Sequence, residues 1–136
     1  MILLDTVVLS ELRKTKPDTN VQTYLKAQAE GTTFLSALSI GEMEAGIERQ
    51  RHLNPPFADE LAQWLVALEL QFSQYILPLT PAIAKLWGRL CVQTGNKGIV
   101  NLIAATALCH NLAIVTRNTK HFEPTGVRVL NPFDAQ

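Results

Sequence analysis

Apolar residues along this chain fall into two kinds of run. Four runs are short and nearly continuous: Ile2–Leu4, Thr33–Ser36, Ile76–Leu79 and Ala113–Val115. A weaker fifth covers Val127–Leu130. Short apolar runs bounded by turn signals predict strands. The longer segments between them carry apolar residues at helical spacing. A helix is predicted over Val7–Lys14. "NVQTYLKAQ" starts at an Asn20 cap, and "SIGEMEAGIERQRH" starts at Ser39. "NPPFADELAQWLVALELQF" has Asn54 as its cap and Pro55 in its first turn. "TPAIAKLWGRLCVQTG" has Thr80 as cap, Pro81 just inside and Gly95 past the end, the order in which these residues favour helix boundaries. "GIVNLIAATAL", Gly98 to Leu108, reads as the start of a buried helix whose apolar character is broken by Asn101. Turns are expected at Thr15–Pro17, Pro55–Pro56 and Gly95–Gly98. Strands alternating with helices predict an α/β fold: a mainly parallel central sheet flanked by helices.

Composition narrows the class. The 136 residues suit one domain spanning 1–136, and 47% hydrophobic residues suit a packed core. Twelve basic and twelve acidic residues give a net charge of zero. The whole-molecule field therefore does not point to nucleic acid or anionic lipid, and any such contact must come from a local patch. Cys91 and Cys109 lie in apolar, helix-like stretches without a CxxC partner, which suits free thiols and a cytoplasmic setting. His52, His110 and His121 lack the spacing of a zinc site. The N-terminus does not read as a signal peptide, and no run reaches membrane-spanning length.

Candidate chemistry comes from the polar residues beside the strands. Asp5 and Thr6 follow the first strand. Glu42 lies in the first turn of the helix predicted after the second. Thr116 and Asn118 follow "AIV", and Asn101 opens the helix leading into it. Ligands of open α/β sheets bind outside the carboxyl ends of the strands, so these side chains are expected to converge there. Each also has a local reading. Asp5 and Asn101 read as helix caps, Asn118 as a turn residue, and Ser39 with Glu42 as a capping box. Taken together, two carboxylates and two amides on one sheet edge point to a divalent-cation site. Oxygen ligands suit Mg²⁺ or Mn²⁺, ions that promote phosphodiester cleavage.

Several ordered motifs carry a family resemblance. "MILLDTVVLSEL" resembles the opening of PIN-domain ribonucleases of the VapC and FitB toxin type, whose usual form is "LLDTNVLSEL". "FLSALSIGEMEAGI" is similar to their second motif, "NLIAATALCHNLAIVTRNTKHF" to their third and fourth, and "VRVLNPF" to their last strand. The resemblance spans Met1 to about Phe133. It implies a three-layer PIN fold and an Mg²⁺- or Mn²⁺-dependent endoribonuclease. It also implies a homodimeric toxin and a cognate antitoxin. Carried over by position, Asp5, Glu42, Asn101 and Asn118 are the site positions, Asp5 and Asn101 the metal ligands, and Thr116 the small hydroxyl of the "TRN" motif. The sequence departs from the pattern at Asn101 and at His121, where the family carries Asp, and at Val7, where it carries Asn.

An amide at 101 keeps the shape of the expected carboxylate and loses its charge. Impaired activity is therefore an expectation, unless Glu11 or Glu44 makes up the charge. On this reading Asn101→Asp raises Mn²⁺ affinity and lowers the melting temperature of the metal-free protein. The alternative is a catalytically weakened PIN-fold protein that acts by binding an antitoxin or a regulatory complex. Arg13, Lys14, Lys16, Arg49, Arg51, Lys97, Arg117 and Lys120 read either as solvated helix ends or as a phosphate-contacting rim for RNA. Trp64 and Trp87 read as core or interface residues. The stripe Leu61, Trp64, Leu65, Leu68 and Phe72 carries more apolar surface than one face needs, which suggests a dimer or antitoxin contact.

Overall fold

The computed structural model describes residues 1–135; residue 136, the end of the predicted domain, lies outside the described residues. Strand β1 is Ile2–Leu4, β2 Thr33–Ser36, β3 Ile76–Leu77, β4 Ala113–Val115 and β5 Val129–Leu130. All pair in parallel, in the order β3-β2-β1-β4-β5. The helices are α1 Thr6–Leu12, α2 Thr19–Lys26, α3 Ala37–Leu53, α4 Pro55–Gln71, α5 Pro81–Thr94, α6 Ile99–Cys109 and the short α7 Thr119–Phe122. The predicted α/β architecture is the one observed.

Sheet pleat divides the core into two halves. Ile2, Leu4, Ala113 and Val115 point to one face, where Val8 and Leu9 of α1, Met43 and Ile47 of α3 and Leu65 and Leu68 of α4 pack against them. Leu3 and Ile114 point to the other face, against Ile83 and Leu90 of α5, Ile103 of α6 and Phe122. The register pairs Leu3 with Ile114 and Leu4 with Val115, so each strand delivers its alternate residues to the same two layers. Burial on both faces explains why these strands read as continuous apolar runs instead of alternating ones.

Several boundaries differ from those predicted. β3 stops at Leu77 because Pro78 offers no ladder donor. β5 begins at Val129 because Gly126 takes a left-handed turn (φ 76°) and Val127 is buried in the second core half. α1 runs over Thr6–Leu12, not Val7–Lys14. Asp18, not Asn20, caps α2: its carboxylate accepts from the N–H of Asn20 and Val21. The Asn20 amide instead donates to the Phe133 carbonyl. Ser36, not Ser39, caps α3, accepting from Leu38 N–H at 3.1 Å. α6 starts at Ile99 after Gly98, so Asn101 is its third residue and not its cap. Pro55 and Pro56 form the first turn of α4 instead of a separate turn. The Asn54 cap of α4, the Thr80 cap of α5 and left-handed Gly95 after α5 are as predicted.

The apolar stripe on α4 is core in part and groove lining in part. Leu65 and Leu68 are buried, with Leu61, Trp64 and Phe72 packed against the same cluster. No helix among the described residues is long and apolar enough to cross a membrane.

The cap assignment is testable. Ser36→Ala should lower unfolding stability by about 1 kcal/mol, the usual cost of losing a helix cap. This reads out as a lower urea midpoint at unchanged slope; an unchanged midpoint would put the start of α3 elsewhere.

Candidate active site

The strand order reverses at β1: the chain moves from β1 outward to β2 and β3, then returns to the opposite side of β1 with β4. In open α/β sheets that reversal leaves a crevice at the carboxyl ends. Asp5 leaves β1 there and Thr116 leaves β4 there, joined by the Asp5 N–H bond to the Val115 carbonyl.

Asp5 does two things at once. Its Oδ1 caps α1 by accepting from Thr6 N–H at 2.9 Å, and its Oδ2 accepts from the Thr116 hydroxyl at 2.8 Å. The cap reading and the site reading therefore describe the same side chain. Thr116 Oγ1 also accepts from Asn118 N–H at 3.0 Å, which turns the chain toward the cleft. Across the crevice, the Thr6 hydroxyl donates to Glu42 Oε1 at 2.7 Å and lies 3.0 Å from Ser39 Oγ. A hydroxyl has one proton, so the buried Ser39 hydroxyl is left to donate to Thr6. Glu42 is thus held by Thr6 from another element, not by a capping box with Ser39.

These residues border a cleft of about 220 Å³ lined by Asp5, Thr6, Glu42, Asn118 and His121 on its polar side. Val7, Ile99, Val100, Ile103 and Phe122 form its apolar side. Thr116 supports Asp5 from behind. Asn101 is not brought to the cleft. It is buried, and its Nδ2 donates to Thr94 Oγ1 at 2.9 Å and to the Asn96 carbonyl at 2.6 Å. Glu11 and Glu44 do not line the cleft either. The Glu11 carboxylate takes Lys14 Nζ and the Asp18 N–H. Sequence reasoning missed the bridging role of Thr6 and the cleft position of Val100. The helical spacing of Val100 from Ile103 was the available signal.

Burial pushes the Asp5 carboxyl above its ordinary range. The bonds from Thr116 and Thr6 and the nearby His121 imidazole pull the other way but do not cancel it. Each Asp5 oxygen has one hydrogen bond and keeps a lone pair for a further partner. Asp5 and Glu42, with the Asn118 amide beside them, suit a single hydrated divalent cation. Such an ion is held by one or two carboxylates and keeps several waters. The donor set does not suit a pair of ions: among the described residues no three His, Cys, Asp or Glu side chains are grouped to hold a metal.

Beside this cleft, sharing Thr6 and Glu42 with it, runs a groove of about 350 Å³ between α1, α3 and α4. Met43, Ile47, Phe57, Leu61 and Trp64 supply its apolar surface, and Arg13, Arg49 and Gln50 its polar surface. Arg13 lies over the Phe57 ring at 5.4 Å.

A family model described as PIN domain matches residues 2–126. The plasmid stability protein StbB of Pseudomonas syringae pv. tomato is 34% identical, over 99% of this chain and 100% of its own. The VapC ribonuclease Y4jK of Sinorhizobium fredii is 32% identical, over 98% and 99%. The toxin FitB of Neisseria gonorrhoeae is 31% identical, over 98% and 99%. Among solved structures, FitAcB from Neisseria gonorrhoeae superposes with a TM-score of 0.86 at 30% identity, covering 98% of this chain and 99% of that one.

The state of Asp5 sets a pH-dependent stability. A carboxyl with a raised folded-state pKa destabilises the fold as pH climbs from the ordinary aspartate range through the raised value. In metal-free buffer, Asp5→Asn should therefore melt higher than the parent at neutral pH. That gap should close as the pH falls below the ordinary aspartate range. A parent that melts higher at neutral pH would show that the two hydrogen bonds outweigh burial.

Proposed function

Because the chain belongs to the PIN domain family, we propose that it is the toxin of a toxin–antitoxin pair, a divalent-cation-dependent endoribonuclease of low hydrolytic rate. The observation that carries this reading is the pairing of Asp5 and Glu42 through Thr6 on one side of a cleft whose other side is apolar. The names of the related proteins, a VapC ribonuclease and the toxin FitB, support it.

Asp5 and Glu42 would hold the cation, Mg²⁺ or Mn²⁺, with the Asn118 amide beside it. When bound, such an ion polarises a phosphoryl oxygen and lowers the pKa of its water. The protein's own groups do the rest. Thr116 and the Thr6 N–H fix the Asp5 carboxylate in orientation. The Thr6 hydroxyl fixes Glu42. Exposed Lys97, Arg117 and Lys120 carry positive charge in the adjoining segments, where they meet RNA phosphates at little desolvation cost. Val7, Ile99 and Val100 make one wall apolar and give no donor to a second ion, which in this proposal keeps the rate low.

The antitoxin contact in this proposal is the groove beside the cleft. Its arginines and aromatic residues suit an acidic, amphipathic segment of the partner, and a segment lying there reaches Glu42. A second copy of the chain belongs to the same proposal. With Leu65 and Leu68 committed to the core and Phe57, Leu61 and Trp64 to the groove, the large apolar side chains that α4 leaves to solvent are Val66 and Leu70, 58% and 73% exposed. The apolar wall also favours a second reading, a PIN-fold protein that acts by binding alone.

An RNA cleavage assay with Mn²⁺ separates the two readings. The parent should cleave slowly, and Asp5→Asn and Glu42→Gln should each fall to background while antitoxin binding persists. Cleavage that survives both substitutions would overturn the assignment of the site. No cleavage by the parent at any Mn²⁺ concentration would leave binding as the function. For the groove, Arg49→Glu should weaken capture of the antitoxin encoded beside the gene, with residual cleavage unchanged.

A further inference from the structure

α6 meets the cleft through Ile99, Val100 and Ile103. These positions share one face of the helix, since residues three and four apart stack on successive turns. Position 101 is turned about 100° from position 100 and faces the α5–α6 loop. There Asn101 is held as a donor among acceptors. Its Nδ2 reaches Thr94 Oγ1 and the Asn96 carbonyl. Asn96 Oδ1 accepts from Gly98 N–H at 2.7 Å, and the Thr94 hydroxyl donates to the Leu90 carbonyl at 2.8 Å. A carboxylate at 101 has no proton to offer the Asn96 carbonyl at neutral pH. It would meet that oxygen as a like partial charge, away from Asp5 and Glu42.

Val100 is different. It borders the cleft together with Asp5, Glu42 and Asn118, and its two methyl groups give a cation nothing to bind. Resting on the cation reading above, we propose that Val100 is the position that limits this cleft to one weakly held divalent ion. A carboxylate at 100 would be a third anionic donor, supplied from α6 to the two supplied by α1's cap and α3. Charge count is a main determinant of affinity in oxygen-ligand sites. Position 101, where the motif register of the sequence puts the acid, cannot play this part because the loop holds its side chain.

The experiment is a calorimetric titration of MnCl₂ into the parent, Val100→Asp and Asn101→Asp, with melting curves in EDTA and in Mn²⁺. Val100→Asp should bind Mn²⁺ about tenfold or more tightly than the parent, and Mn²⁺ should raise its melting temperature further. Asn101→Asp should show no gain in affinity and should melt below the parent in EDTA. Val100→Asn, with a neutral oxygen donor, should gain less than Val100→Asp and decides the matter if the acidic variant does not fold without metal. A gain for Asn101→Asp with none at position 100 overturns the inference and leaves the cation reading standing. So does Mn²⁺ binding by the parent with no gain from either substitution at 100. No Mn²⁺ binding by any of the proteins overturns both.

Discussion

The Asp5 carboxylate is the group on which the rest of the site depends. One oxygen ends β1 and starts α1 by capping Thr6 N–H; the other ties the end of β1 to the end of β4 through Thr116. Since β1 is the central strand, this side chain stands where the strand order reverses. The same two bonds that make it structural leave it buried and short of positive charge. Burial outweighs the help of Thr116, Thr6 and His121, so its ionised form is held under tension. A positive charge placed in the cleft would relieve that tension, so in the proposed function folding energetics and ligand binding are linked through a single residue.

Thr6 extends this arrangement to α3. One hydroxyl links the end of β1 to Glu42, 36 positions away, with Ser39 behind it. The two carboxylates are therefore set by one short segment, and their spacing does not depend on long flexible side chains. The opposite wall, from Val7 to Ile103, is apolar. It lowers the local dielectric and so strengthens each charge on the polar side, but it supplies no ligand. The cleft is electrostatically strong and poor in donors, a combination that favours one tightly oriented anion pair over a fully coordinated metal cluster.

The groove along α1, α3 and α4 shares Thr6 and Glu42 with the cleft. A segment lying in it would cover the polar side of the cleft. Arg13 lies over the Phe57 ring and Arg49 is exposed at the groove edge, so in the proposed antitoxin contact the two arginines would face the partner's acidic groups.

What the sequence determined by itself was whatever short-range patterns encode. The strand positions follow from apolar runs that must be buried on both faces, and the parallel sheet from their alternation with helices. The starts of α4 and α5 follow from Asn54-Pro55 and Thr80-Pro81, where one cap candidate stood without a rival. Asp5 was legible because an acid directly after a buried strand has few other places to go. Tertiary structure decided the rest, wherever several polar residues competed for one role. Asp18 won the cap of α2 because Asn20 is engaged 113 positions away at Phe133. Ser36 won the cap of α3 because β2 ends there, which freed Ser39 and Glu42 to meet Thr6. Most consequentially, Val100 and not Asn101 faces the cleft. One residue along a helix turns a side chain by about 100°; the spacing of Val100 from Ile103 hints at which one faces the cleft, but the motif match alone reads one position along. The hydrogen bonds of the α5–α6 loop, which fix the rotation of α6, are visible only once the chain is folded.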